Sequence, residues 1–306
     1  MSDGIILVDK PVGVTSHDVV NLLRKKLNTK KIGHAGTLDP FASGLLIAGI
    51  KKGTRLLEYF LEMDKTYRAE LELGRITDTF DITGKTVEER EVPEISIDDI
   101  TSVLKSFEGE YLQVPPAYSA KKHNGERLYK LAREGKIINL PPKSVKVHSI
   151  EHITLSQNKV TFTARVSKGT YIRSLVMDIG YKLGCGATTT NLRRISQGRF
   201  SVDNSYSIDD VSQISVIPME EAVDFLPGLL LSESESSKVL LGNQIHANGV
   251  AGILGHFEKD EIIRIIGSDE RLIAVAKSER TSSFLKTLIA KDSKERVAKL
   301  VKVLGA

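Results

Sequence analysis

Two stretches of strict alternation between apolar and polar side chains constrain the fold of this chain more than any other feature. They span Lys65–Leu73 and Lys159–Ser167. A period of two places every apolar side chain on one face of a β-strand. Both stretches therefore predict strands that bury one face, which carries Tyr67, Ala69, Leu71 and Leu73 in the first strand and Val160, Phe162, Ala164 and Val166 in the second.

Helical patterns are interspersed with these strands. A helix is predicted from about Ser16 to Leu27, with Thr15 or Ser16 as its cap, and the capping box Ser96-x-x-Asp99 begins another. Apolar residues recur at helical spacing from Ile172 to Leu183. Strands and helices mixed in this order indicate an α/β or α+β sheet domain.

The composition changes after Pro227-Gly228. Beyond this point a short helix around Ser236–Leu241 precedes two strands, Glu261–Ile266 and Leu272–Ala276. The five residues between the strands, Gly-Ser-Asp-Glu-Arg, are typical of a hairpin turn. A chain of 306 residues is long enough for two domains. We therefore expect one domain over residues 1–228 and a small β-rich module over residues 229–306.

The composition also excludes several classes of protein. With 41% hydrophobic residues the chain can bury a real core, which excludes wholesale disorder. No apolar run approaches the ~20 residues that cross a bilayer, and the start of the chain does not resemble a signal peptide. The single cysteine, Cys185, cannot form an internal disulfide or a multi-thiolate zinc site. We expect a cytoplasmic protein that needs neither a metal nor a membrane.

Positive charge is concentrated in one segment, the basic insertion of residues 118–142. From Ala120 to Lys146 there are eight Lys and Arg residues against two Glu, whereas the net charge of the whole chain is only +4. The segment contains a predicted helical piece, Glu126–Arg133. Such a cluster suits the phosphate backbone of a nucleic acid, and its structural alternative is a solvated helix face.

Two loops are candidates for chemistry. The Gly-rich loop from Gly33 to Gly44 holds His34 and Asp39, and glycine allows a backbone to approach a ligand closely. An Asp-Pro pair in such a loop is more often only an Asx turn. The second loop, Lys168–Arg173, joins a strand to a helix N-terminus, where backbone N–H groups and an arginine commonly meet an anion. Its alternative is a capped loop with a surface arginine.

Five motifs follow one another along the chain: Asp9-Lys10-Pro11-x-Gly13-x-Thr15-Ser16, Gly33-His34-x-Gly36-Thr37-Leu38-Asp39-Pro40, Lys65-x-Tyr67, a segment from Gln113 to Tyr118, and Gly169-Thr170-Tyr171-Ile172-Arg173. In this order they resemble the bacterial TruB-type tRNA pseudouridine-55 synthases, over almost the whole chain. The resemblance implies an α+β pseudouridine-synthase fold, with a mixed, mainly antiparallel sheet, flanking helices and a C-terminal PUA-type RNA-binding module. It further implies isomerisation of uridine 55 in the T-loop of tRNA, without a metal or an organic cofactor.

The same resemblance assigns roles to single residues. Asp39 is the catalytic nucleophile, toward the sugar or the base, and Arg173 is its partner. A two-pronged arginine would favour an ionised Asp39 by lowering the pKa of its carboxyl. Tyr67 stacks on the target base, which must leave the RNA stack before the C1′–N1 bond is exchanged for a C1′–C5 bond. The remaining substrate contacts are His34, which fills the place of the flipped base, Leu192 as an apolar pocket residue, and Tyr171.

Five lysines are expected to contact the RNA: Lys10, Lys121, Lys122, Lys130 and Lys136. The basic insertion favours a monomeric enzyme that binds the T-stem-loop of tRNA without a protein partner. Two alternatives remain. One is an RNA-guided pseudouridine synthase of the archaeal and eukaryotic kind, and the other is a non-catalytic RNA-binding or RNA-folding protein.

Overall fold

The computed structural model describes residues 3–116, 118, 122–123, 125–127, 134, 136, 138 and 140–305, with only the backbone at 122, 123, 127 and 213. The helices are α1 (Ser16–Lys26), α2 (Leu57–Leu61), α3 (Ile97–Lys105), α4 (Ile172–Lys182), α5 (Met219–Ala222), α6 (Glu233–Leu240) and α7 (Ser282–Ala290). The strands are β1 (Gly4–Lys10), β2 (Ile32–His34), β3 (Ser43–Ile50), β4 (Lys65–Leu73), β5 (Arg75–Thr77), β6 (Thr86–Glu89), β7 (Gly109–Gln113), β8 (Lys122–His123), β9 (Glu126–Arg127), β10 (Lys143–Ser156), β11 (Lys159–Val166), β12 (Ala187–Gln197), β13 (Phe200–Ser201), β14 (Ile217–Pro218), β15 (Gly228–Leu231), β16 (Ile245–His246), β17 (Val250–Leu254), β18 (Ile262–Ile266), β19 (Leu272–Ser278) and β20 (Arg296–Val303).

The chain forms two compact units, of which the larger comprises residues 6–48 and 57–215. Its sheet has the strand order β1-β3-β12-β4-β11-β10-β7, with β2 beside β3 and β13 beside β12. The pairs from β12 through β4, β11 and β10 to β7 are antiparallel, whereas β12 pairs with β3 in parallel. The expected mixed, mainly antiparallel α+β sheet is confirmed.

The core of the larger unit lies where the sheet packs against α3 and α4. All eight residues predicted to form the buried faces of the two alternating strands belong to it. On α4 the apolar stripe of Ile172, Leu175, Val176 and Ile179 is buried against the same cluster. Burial of this apolar area is the main source of stability for such a unit. The two alternating sequence patterns therefore predicted the central strands correctly.

The helix starts also match the sequence signals. Thr15 caps α1 and forms a reciprocal capping box with Asp18, and Ser96 does the same for α3 with Asp99. Each box satisfies two backbone donors that a helix N-terminus would otherwise leave without partners.

The smaller unit comprises residues 1–5, 49–56 and 216–306. Its six-stranded sheet has the order β16-β20-β19-β18-β15-β17, and the predicted hairpin is the antiparallel pair of β18 and β19. The unit begins before the expected residue 229 because β14 pairs with the first two residues of β1, Gly4 and Ile5. The β-rich character expected for the C-terminal module is confirmed.

One local prediction in the basic insertion is wrong for the residues that can be compared. Glu126 and Arg127 form β9, which pairs with β8 in a hairpin, whereas a helix was expected there. Gly125 adopts a φ of +89°, which a tight hairpin turn requires and a helix does not. The rest of the predicted helix, residues 128–133, lies outside the described residues. In the described part of the chain, no helix combines the length and apolar character needed to cross a membrane.

Candidate active site

Asp39 lies in the loop between β2 and β3, which is fixed against the start of α1. The hydroxyl of Ser16 donates to the carbonyl of Leu38 (3.2 Å) and accepts from the amide of Leu38 (2.8 Å). The amide of Gly13 donates to the carbonyl of Pro40 (2.8 Å). These bonds hold the backbone on both sides of Asp39, so its carboxylate has a defined direction.

The Asp39 carboxylate forms a two-pronged ion pair with the guanidinium of Arg173. Nε of Arg173 lies 2.9 Å from Oδ2, and Nη2 lies 3.2 Å from Oδ1. Arg173 belongs to the first turn of α4, and only 3% of it is exposed. Two N–H donors in this arrangement fix the orientation of a carboxylate as well as its charge. The structure thus brings together the two side chains that the motifs singled out.

The remaining N–H donors of Arg173 are also engaged. Nη1 donates to the carbonyl of Thr79 (2.9 Å) and lies 3.3 Å from Oδ2 of Asp81, and Nη2 donates in addition to the carbonyl of Tyr118 (2.9 Å). A guanidinium has five N–H donors. Three hydrogen bonds and two further ion-pair contacts therefore hold the guanidinium between acceptors of the protein.

Sequence reasoning missed Asp81, the second carboxylate on Arg173. Asp81 is 4% exposed, and its Oδ1 accepts from the Thr79 hydroxyl (2.9 Å) and the Thr83 amide (3.0 Å). Its loop is attached to β12 by backbone hydrogen bonds at Thr189. A signal was present, because three threonines, Thr77, Thr79 and Thr83, alternate with the aspartates Asp78 and Asp81 in a loop.

The surroundings of Asp39 act on its pKa in opposite directions. One third of the Asp39 side chain is exposed, and the residue lines a concave cavity. Loss of surrounding water raises the pKa of Asp39, and the Asp81 charge raises it further, whereas Arg173 and Lys10 oppose the shift. The pKa of Asp39 was expected to be lowered by Arg173, but the effect of burial is larger and the pKa is raised. The ionised form of Asp39 therefore depends on the positive charges of Arg173 and Lys10.

A buried glutamine positions the start of α4. Gln113 is 1% exposed, accepts from the amide of Tyr171 (2.8 Å) and donates to the carbonyl of Tyr171 (3.0 Å). The hydroxyl of Ser174 donates to the carbonyl of Val114 (2.8 Å). The motif that begins at Gln113 therefore holds the backbone that carries Arg173.

A cavity of about 350 Å³ opens in front of Asp39, within the range of small-molecule sites. The pairing of β4 with β12 shapes one wall, because it sets Tyr67 opposite Arg194 and Leu192 opposite Ala69. Its lining includes the apolar and aromatic residues Leu38, Leu61, Tyr67, Tyr171, Ile172 and Leu192 and the charged residues Asp39, Lys65, Arg173 and Arg194. The cavity can accept a flat, partly polar group next to a carboxylate.

Comparisons with known proteins agree with these observations. Residues 24–172 match the family model described as TruB family pseudouridylate synthase (N terminal domain), and residues 173–232 match the tRNA pseudouridylate synthase B C-terminal domain. The tRNA pseudouridine synthase B of Thermotoga petrophila is 50% identical over all of this chain and 99% of the relative. That of Aquifex aeolicus is 38% identical over 89% of this chain and 94% of the relative.

The chain belongs to the TruB family. It is therefore a pseudouridine synthase, an isomerase. Among solved structures, an H/ACA RNP bound to a substrate RNA containing 2′-deoxyuridine matches with a TM-score of 0.76 and 28% identity, over 99% of this chain and 85% of that chain. A Cbf5-Nop10-Gar1 complex matches with a TM-score of 0.75 and 30% identity, over 98% and 84% of the two chains. These matches confirm the pseudouridine-synthase fold.

Four residues expected from the TruB resemblance lie in the cavity wall beside Asp39, namely Tyr67, Tyr171, Arg173 and Leu192. His34 is not among the lining residues. It ends β2 half-buried, two residues before the lining begins at Gly36.

The five lysines expected to contact RNA do not lie together in the cavity wall. Lys10 is fully buried, and its ammonium donates to the carbonyls of Pro11 (2.9 Å) and Val14 (2.7 Å). It therefore stabilises the turn after β1 instead of facing the cavity. Lys136 is exposed and pairs with Glu134 at 3.2 Å. The other three either lie outside the described residues or are described only in their backbone, namely Lys121, Lys130 and Lys122.

Two further cations of the TruB cavity were not expected. Arg194 donates through Nε to the carbonyl of Leu45 (2.6 Å) and through Nη2 to that of Gly36 (3.3 Å). Gly36 and Gly44 lie against Arg194, since a Cβ on Gly44 would be 2.3 Å from the Arg194 carbonyl oxygen. Gly44 thus makes room for the backbone of β12.

Lys65 is the second unexpected cation. Its ammonium donates to the carbonyls of Leu61 (2.7 Å) and Met63 (2.6 Å). Burial lowers the pKa of Lys65 to about 8, and the charge of Arg194 lowers it as well. Sequence reasoning read Lys65 only as the first residue of a motif.

Proposed function

We propose that this protein converts the uridine at position 55 in the T-loop of tRNA to pseudouridine, with Asp39 as the nucleophile. The observation that carries the proposal is the two-pronged ion pair of Asp39 with Arg173 in the wall of a cavity that Tyr67 also lines. Support for tRNA as the substrate comes from the relatives named tRNA pseudouridine synthase B, which this chain matches over its full length.

The reaction exchanges one bond of the target nucleotide for another. The C1′–N1 bond breaks, the uracil turns, a C1′–C5 bond forms, the proton on C5 leaves, and N1 takes up a proton. Asp39 attacks the nucleotide as a carboxylate and is released at the end. Arg173 holds the carboxylate in one direction through both oxygens. Because base and sugar must stay together between the two bonds, an enclosed cavity is required.

The target base must leave the RNA stack to enter the cavity. Extruding a base costs a few kcal/mol. Stacking on Tyr67 contributes roughly 1–3 kcal/mol in return. Tyr67 is suited to this role because it is 9% exposed and its strand is central in the sheet. Leu192 supplies apolar contact from the neighbouring strand.

We further propose that the enzyme acts alone on tRNA as a monomer. The basic insertion offers phosphate-binding lysines on the same chain, and the bacterial tRNA pseudouridine synthase B of Thermotoga petrophila is more similar in sequence than the H/ACA protein (50% against 28% identity). The β-rich module at residues 229–306 is proposed to be the PUA-type RNA-binding part.

Tritium release tests the proposal. Purified protein is mixed with an unmodified tRNA transcript labelled with 5-tritiated uridine, and nothing else is added. We expect release of one tritium per tRNA, and no release from a transcript with cytidine at position 55. Release only after addition of a guide RNA or other proteins would favour the RNA-guided alternative. Tight binding without release would favour the RNA-folding alternative.

A further inference from the structure

Two buried cations of the cavity wall contact only neutral oxygens. Arg194 is 1% exposed and Lys65 is 8% exposed. Their hydrogen bonds go to backbone carbonyls, and within the described residues neither forms an ion pair. Burying a charge without an opposite charge is costly. An anion supplied by the substrate would offset this cost.

The third cation of the cavity, Arg173, is in a different position. It pairs with two carboxylates, Asp39 and Asp81. Among these three cations of the cavity, Arg194 and Lys65 are therefore the two without a carboxylate partner within the described residues.

The acidic residues close to Lys65 in the sequence form ion pairs with other side chains. Glu62 forms an ion pair with Lys168, and Asp64 pairs with Arg165 (3.1 Å) and His148 (3.1 Å). Their charges favour the ionised form of Lys65, but neither acid forms an ion pair with it.

Strand geometry places the cationic pair next to the proposed stacking residue. Lys65 and Tyr67 share a face of β4, about 7 Å apart along the strand, and Arg194 is the cross-strand partner of Tyr67. Gly36 has no side chain to fill the space beside Nη1 of Arg194, which would lie 3.4 Å from a Cβ there. A nucleotide whose base stacks on Tyr67 thus brings a phosphate to these two cations.

We propose that Arg194 and Lys65 form a phosphate subsite for one of the two phosphodiesters that flank the target uridine. The proposal rests on the proposed function, because the flipped uridine brings the phosphate into the cavity. Arg194 supplies the N–H donor, and Lys65 supplies a second positive charge. A phosphate held here keeps the sugar at a fixed place relative to Asp39, so Arg194 is a positioning residue.

Neutral backbone linkages test the subsite. A T-stem-loop RNA is made with a single methylphosphonate, as separated diastereomers, at the linkage 5′ or 3′ of the target uridine. Equilibrium binding is measured for wild type, Arg194→Gln and the matched control Arg193→Gln. Arg193 is the next residue of β12, half-exposed and paired with Asp9 at 2.7 Å. Thermal unfolding and circular dichroism establish that each variant is folded.

For wild type and Arg193→Gln, we expect one linkage to weaken binding by about 10–100-fold when it is made neutral. For Arg194→Gln the same change should weaken binding several-fold less than in wild type, since only Lys65 remains as a charged partner of the phosphate. A linkage effect that is equally large in Arg194→Gln overturns the proposal, and so does the lack of any effect above about 2-fold in wild type. The second outcome does not depend on how well the variant folds.

Turnover keeps this result separate from the proposed function. If wild type binds the unmodified stem-loop without converting its uridine, the proposed activity fails, and the binding comparison still decides the subsite. If wild type converts the uridine and neither linkage matters, only the subsite fails.

Discussion

Replacing Arg173 by lysine keeps the positive charge beside Asp39 but removes the planar fork. Of the five contacts of the guanidinium, two go to Asp39, one to Asp81 and two to backbone carbonyls. A lysine ammonium has three donors at one point and cannot reach both oxygens of Asp39 and Asp81 together. The change leaves at least one buried carboxylate without its full set of partners.

The magnitude follows from the bonds that are lost. A hydrogen bond to a charged group contributes about 1.5–3 kcal/mol, so losing two costs roughly 3–6 kcal/mol. If the loss falls on the orientation of Asp39 in the transition state, kcat decreases about 10²–10⁴-fold. Affinity for tRNA should change less than about 3-fold, because Arg173 is buried and its five contacts all go to acceptors of the protein.

Single-turnover tritium release at saturating tRNA gives the rate, and filter binding gives the affinity. Arg193→Lys is the matched control, because Arg193 also holds an aspartate through two donors, at 2.7 Å and 3.0 Å from Asp9, away from the cavity lining. The control should stay within about 3-fold of wild type, as expected for a surface pair. A rate for Arg173→Lys within about tenfold of wild type, or a loss confined to affinity, would refute the reasoning.

Asp39→Asn should abolish turnover and leave tRNA binding within about tenfold, because the amide keeps the shape but lacks the nucleophilic charge; rate and binding measured together check this. Gln at the four lysines of the insertion should lower the log–log salt slope of tRNA binding by roughly 1–3 units, with turnover at saturating tRNA less affected, and an unchanged slope would mean that the RNA is clamped elsewhere. Burial raises the pKa of Asp178 to about 6, so the folded protein binds this proton more tightly than the unfolded chain. The stability that this proton contributes is lost as the pH rises through 6. Asp178→Asn should therefore raise the free energy of unfolding by about 1 kcal/mol at pH 7.5, a value reduced for screening by solvent, and by less at pH 5. Equal gains at both pH values in thermal unfolding would contradict the burial of that charge.

The parts of the fold that the sequence predicted are those governed by local patterns. The strand around Tyr67 and the helix that carries Arg173 follow from the period of their apolar residues, and Thr15 follows from capping chemistry. Each of these signals is contained within one element. The Asp39 loop was visible because its polar and glycine residues are adjacent in sequence.

The residues that sequence reasoning missed depend on distant parts of the chain. Asp81 reaches Arg173 only because its loop is attached to Thr189 of β12. Arg194 looks like a solvent-facing residue of a strand, and its burial results from the parallel pairing with Gly44 of β3. Glu126 and Arg127, which were expected to begin a helix, form a strand after the turn at Gly125. Long-range pairing, which no local window contains, decided the first two cases.

The contacts of Arg173 with protein acceptors separate two tasks inside the cavity. Arg173 holds Asp39, so under the proposed function recognition of the substrate belongs to other lining groups, such as Tyr67, Lys65 and Arg194. Substitutions that redirect the protein toward a different RNA can therefore accumulate at those positions without disturbing the orientation of Asp39. A scaffold built in this way can exchange one RNA target for another in the course of evolution and keep a single chemistry.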